Sequence, residues 1–215
     1  MRKTGKKFTL VFDSAYWKDY KEFLEFVKEL DIYNGWKITS GLLNERGKLI
    51  YDKRYVNILR DLFREKKFFR KEVSIAEIIS WLDNLTLISR LLDKLEERLT
   101  KDVFNNIEIS VEYMIKMSKR MRIDYLIIYQ NSILLLELRT VSGFDKLRYT
   151  WDKKFQELLI YRELMSNYLH NKIFRLYALI PLFEYNGNTP VLKHIDYNQK
   201  QIDYLVEYIF LYIIN

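Results

Sequence analysis

The sequence predicts an α/β domain over residues 86–215 behind a mainly helical region over residues 1–85. Three observations carry that expectation. An apolar stripe of helical spacing runs from Ile88 to Val103. Period-2 alternation then sets in at Ile107 and leads into two further short apolar runs. Helical spacing returns after Gly143, ahead of another strand-like run. The order from residue 86 is therefore helix, three strands, helix, strand, then a tail.

Before residue 86, Phe8, Leu10 and Phe12 alternate as in a short strand. Trp17, Tyr20, Leu24 and Val27 recur at three- and four-residue steps, as on a helix capped by Asp13 or Ser14. Residues 41–51 carry Asn-Glu-Arg-Gly between apolar pairs and suggest a small hairpin. A helix with Val56, Leu59, Leu62 and Phe63 inward follows, and the basic run 64–71 reads as its solvated end. Ser74-Ile-Ala-Glu77 matches a capping box, so a further helix should start there and bury Ile75, Ile78, Ile79 and Leu82.

From Thr86 the positions Ile88, Leu91, Leu92, Leu95, Leu99 and Val103 make a separate helical face of about five turns. Ile107 to Met117 then alternate with polar residues, as in a strand with one face inward. Two strands follow, Ile-Asp-Tyr-Leu-Ile-Ile-Tyr and Ser-Ile-Leu-Leu-Leu-Glu-Leu-Arg-Thr-Val, separated by Gln130-Asn131; the unbroken run Ile133 to Leu136 suits a strand covered on both faces. A helix from about Thr150 to Leu169, a strand over residues 173–182, a turn at Asn186-Gly187-Asn188, a short strand from Val191 to Ile195 and a terminal helix through Ile213 complete the reading.

With 215 residues, 49% hydrophobic and 30% charged, the chain has material for one generous domain or two small ones and is neither disordered nor collagen-like. Two prolines, six glycines and no cysteine exclude a Pro/Gly-rich linker, a disulfide framework, a thiolate metal site and a cysteine nucleophile. A reducing, cytoplasmic setting is expected. The first residues lack the apolar stretch of an export signal. The apolar C-terminal run falls short of the roughly 20 residues of a membrane span and contains Glu207, so no membrane partner is expected. A net charge of +7 permits polyanion binding.

The chemistry concentrates in residues 122–140. Asp124 enters one strand, and Glu137 sits on the next, thirteen positions later across a hairpin-length connection. Glu137 ends a run of aliphatic residues, where burying an acid is costly without a cation, a proton or a hydrogen-bonding partner. Two carboxylates aimed at one point bind hard cations such as Mg²⁺ or Mn²⁺ through oxygen. Arg139, two residues beyond Glu137, shares its strand face and could hold a phosphate beside such an ion. The basic cluster Lys116, Lys119, Arg120 and Arg122 is either a solvated hairpin or a contact to a nucleic-acid backbone.

An acid on one strand, then acid-any residue-base on the next, after a helix and before a second helix and strand, resembles the PD-(D/E)XK, or restriction-endonuclease-like, nuclease superfamily over residues 86 to about 185. The resemblance implies Mg²⁺-dependent (or Mn²⁺-dependent) hydrolysis of nucleic acid, with DNA the expected substrate. It makes Asp124, Glu137, the carbonyl of Leu138 and Glu96 the metal ligands, and Gln156 and Tyr161 the helix residues near the scissile phosphate. Arg139 stands where the family usually has lysine. A guanidinium stabilises charge but does not give up its proton, so Lys153 or Lys154 on the next helix would supply the missing ammonium. Many members of the superfamily work as homodimers or within larger complexes, and either state fits. A non-catalytic nucleic-acid-binding or protein-interaction module on the same scaffold is the alternative. His170 and His194 lack metal-ligand spacing, and no phosphate-binding glycine loop or nucleophile elbow is present.

Overall fold

The computed structural model describes residues 15–17, 21–23, 25–26, 53–66, 74–115, 121–182, 185–186, 189–190 and 192–215. Its centre is a five-stranded mixed sheet of β1 (Ala15–Trp17), β2 (Glu108–Met114), β3 (Arg122–Tyr129), β4 (Ser132–Leu138) and β5 (Ile173–Leu179), hydrogen-bonded in that order. The first four strands pair antiparallel, and β5 lies parallel to β4. Helices α1 (Lys53–Glu65), α2 (Ile75–Arg98), α3 (Lys101–Phe104), α4 (Leu147–Ser166) and α5 (Leu192–Ile209) surround it, with β6 (Tyr185–Asn186) and β7 (Thr189–Pro190) as a separate two-stranded ribbon. A π-helical turn, Phe210–Ile214, extends α5.

The sheet is covered on both faces. On one, Ile88, Leu91, Leu92 and Leu95 of α2 and Ile202, Leu205 and Ile209 of α5 pack against Ile109, Ile127, Leu134 and Leu136. On the other, Leu158 and Met165 of α4 pack against Leu126, Ile128, Ile133 and Leu135. The run Ile133 to Leu136 is accordingly fully buried. Ser74 caps α2, accepting from the Glu77 backbone N–H as the capping box requires. β3 and β4 close through the two-residue turn Gln130-Asn131, with Gln130 at φ 51°, as tight hairpins demand.

Several local expectations are corrected. Trp17 belongs to strand β1, paired with Ile109, and not to a helix; residues 21–23 are helical. Its ring is buried in the α2-side core against Phe23 and Phe26, and that packing overrides the helical spacing around it. The two helices expected around residues 75–82 and 86–103 are one helix, α2, that runs unbroken through residue 85 and then yields at Thr100 to the short α3. Strand β2 is buried on both faces rather than one, because β1 and both helical layers reach it; Ser110 and Glu112 of its polar row lie inside. Residues 192–195 open α5 instead of forming a strand. The expected strand at residues 8–12, the expected helix cap at Asp13 or Ser14, the hairpin at 41–51 and Lys116, Lys119 and Arg120 fall outside the described residues.

Candidate active site

The β3–β4 register decides the geometry. Tyr125 pairs with Leu136 across the hairpin, so the next pair outward is Asp124 opposite Glu137, with both side chains on the α4 face. The acids interlock through their backbones: the Asp124 N–H donates to Glu137 Oε1 at 3.2 Å, and the Leu138 N–H donates to Asp124 Oδ2 at 2.8 Å. Glu137 is 1% exposed. Burial, then the neighbouring Asp124 charge, holds the Glu137 carboxyl above the usual carboxylate range; burial does the same to Asp124.

The cation bound to Glu137 comes from α4. Lys154 Nζ lies 2.6 Å from Glu137 Oε2 and 2.8 Å from Glu157 Oε2. These acids keep Lys154 above its ordinary pKa despite partial burial, so it is an ammonium at neutral pH. α4 is aimed by the chain that leads into it. After β4, the Arg139 N–H donates to the Leu179 carbonyl and the Val141 N–H to the Pro181 carbonyl, which fixes the exit of β4 before the 3₁₀ turn Phe144–Lys146 starts the helix. Tyr161, two turns after Lys154, lies within about 20° of it around the helix. The Tyr161 phenol is half-buried and pushed up to about 12 by burial and by the Glu137 charge.

A third acid joins from β2. Glu112 falls opposite Asp124 in the β2–β3 register, but its φ of 56° breaks the pleat there, and its side chain reaches α2 instead. Trp81 Nε1 donates to Glu112 Oε1 at 2.8 Å, and Arg122 Nη1 lies 3.0 Å from Glu112 Oε2. Arg122 Nη2 in turn reaches Glu77 Oε1 at 3.2 Å. Glu112 is 6% exposed, and burial, reinforced by Asp124, pushes its carboxyl up to about 7. Sequence reasoning passed over Glu112 because a period-2 strand assigns it to solvent; the one legible signal was the pair of acids, Glu108 and Glu112, on that polar face.

Of the residues singled out from the sequence, the structure therefore gathers Asp124, Glu137, Leu138, Lys154 and Tyr161. Arg139 lies beyond the end of β4, exposed and without an ion pair to either acid. Lys153 is exposed on α4, turned away from Glu137. Gln156 sits about 200° around α4 from Lys154 and is exposed. Glu96 is exposed near the far end of α2, nineteen residues or about 28 Å along the axis from Glu77, the α2 acid whose arginine partner borders the site. Arg122 pairs with Glu112 and Glu77 while its side chain stays 41% exposed.

Paired strand acids, a lysine delivered by the following helix and a mixed sheet between helical layers make this a nuclease-like α/β domain. The family model of the nuclease-related domain (NERD) matches residues 84–195, more than half of the chain, and the chain belongs to that PD-(D/E)XK-like family. Searches of curated proteins and of solved structures return no match. Asp124, Glu137 and Lys154 all lie within the matched residues, whereas Glu77 and Trp81, which anchor Arg122 and Glu112, precede them.

Proposed function

We propose that the domain hydrolyses phosphodiester bonds in nucleic acid, DNA foremost, with Mg²⁺ or Mn²⁺ held by Asp124 and Glu137. One observation carries the reading: two interlocked, buried acids from adjacent strands meet beside Lys154, with Arg122 the other cation felt by Asp124 among the described residues. The donor set suits a hard cation, since two carboxylates offer oxygen ligands at one point and the Leu138 carbonyl lies in the same strand. Such an ion, when bound, polarises the phosphate and lowers the pKa of a nearby water.

The chain's own residues supply the rest. Lys154, kept charged by Glu137 and Glu157, offers an ammonium to the charge that grows on the phosphoryl oxygens, in the role usually given to the motif's own lysine. Because it stays protonated, it acts as a stabiliser and not as a base. Tyr161 orients the substrate from two turns away. Arg139, at the strand end, meets the backbone on the approach. The lack of cysteine favours work in a reducing compartment, which we take to be the cytoplasm.

The test is cleavage of single- and double-stranded DNA in Mg²⁺, Mn²⁺ or EDTA. Metal-dependent cleavage that Glu137→Gln and Asp124→Asn each reduce by at least about 10²-fold, with circular dichroism unchanged, is expected. Binding without cleavage under every metal condition would instead establish the non-catalytic module.

A further inference from the structure

The first turns of α4 carry a feature that the acid–lysine site does not use. Trp151 lies one turn before Lys154 and about 60° around the helix, on the stripe whose later members, Leu158 and Met165, are buried. Trp151 is nevertheless 43% exposed. Its ring stacks on Phe155 at 4.8 Å between centroids and 10° between planes, and Phe155 is itself packed on the α4-side core. One face of the indole is thus braced by a fixed ring, while nearly half of the residue stays open. Beside it, one turn earlier and about 60° around the helix, stands Arg148, exposed and without an ion pair among the described residues; Lys153 and Tyr149, about 160° away, belong to the opposite face of α4. Asp152 is the acid beside them; Glu157 is occupied by Lys154.

A braced, open aromatic ring with the unpaired Arg148 on one side and Lys154 on the other matches what binds a strand with accessible bases: the ring stacks on a base, and the cations follow the backbone. A duplex hides its base faces and cannot use such a ring. We infer that Trp151 is a stacking platform for an unpaired nucleobase next to the phosphate held at Glu137 and Lys154, so that the substrate is single-stranded nucleic acid or a frayed end. This rests on the nuclease reading for its phosphate. The platform itself is tested by binding alone.

The experiment measures anisotropy of labelled oligo(dT), of an abasic strand of equal length and of a blunt duplex, in EDTA, with the full chain. Oligo(dT) should bind about tenfold more tightly than the abasic strand. Trp151→Ala should remove most of that preference while leaving abasic-strand affinity within about twofold, and Trp151→Phe should restore much of it. Equal affinity of oligo(dT) and the abasic strand, equal affinity of the duplex, or an equal loss on all ligands in Trp151→Ala would overturn the platform. Cleavage in Mn²⁺ that ignores Trp151→Ala sinks this inference alone. A base preference without any cleavage sinks the hydrolytic reading alone.

Discussion

Glu112 has three neighbours that a surface strand position would not: the Trp81 indole, the Arg122 guanidinium and, across the register, Asp124. Its carboxyl sits at about 7, above its usual 4.5, chiefly because it is buried. A raised acid binds its proton more tightly when folded, so its contribution to stability is full below the unfolded value and is lost as pH rises toward 7. Urea midpoints of the wild type should therefore fall between pH 5 and 7.5. Glu112→Gln should flatten that fall by on the order of 2 kcal/mol, leaving a residual slope of the same sign from Asp124 and Glu137. The same logic applies to metal. Protons held by the strand acids must leave when a cation arrives. Mn²⁺ affinity should consequently tighten with rising pH, and calorimetry in buffers of different ionisation enthalpy should show proton release; pH-independent affinity would contradict it.

At the scale of elements, α2 and the β3–β4 hairpin do the positioning. α2 spans 24 residues and carries Glu77 and Trp81 at one end and the ion-paired Lys94 and Arg98, bound to Asp203 and Glu207 of α5, at the other. The exposed α5 pairs add little to stability, so the apolar stripe and the cap hold the helix. Ser74→Ala removes the side chain that accepts from Glu77 and should cost about 1 kcal/mol by chemical denaturation. A Ser74→Asp replacement, which keeps an acceptor, should cost almost nothing. The hairpin was legible because thirteen residues and a two-residue turn fix which positions face each other. α4 was legible as a helix, but its bearing on the site was not: adjacent lysines point about 100° apart, and only the exit path of β4 selects Lys154 over Lys153.

For the whole molecule, the N-terminal residues are structurally joined to the nuclease-related part. β1 pairs with β2, Trp17 enters the same core as Ile109 and Leu91, and α2 crosses residue 85 without a break. A fragment beginning at residue 86 would bare the β2 edge, sever α2 and lose the residues that hold Arg122. It should fail to give a cooperative thermal transition or dispersed NMR spectra, whereas the full chain gives both. A stable, cooperative fragment would show that residues 1–85 are dispensable to the fold. Among the described residues no helix is long and apolar enough to cross a membrane; the apolar C-terminal run buries Leu205, Ile209 and Ile213 in the core.

Period, turn residues and the placement of two acids in apolar surroundings were enough to define the alternation of helix and strand from residue 86 to the β5 strand, the hairpin and the pairing of Asp124 with Glu137, because these depend on near neighbours in the chain. Tertiary packing alone decided the strand state of Trp17, the single span of α2, the inward turn of Glu112 and the choice of Lys154 as the cation. Each depends on a surface supplied by residues distant in sequence, and local spacing carries no record of it.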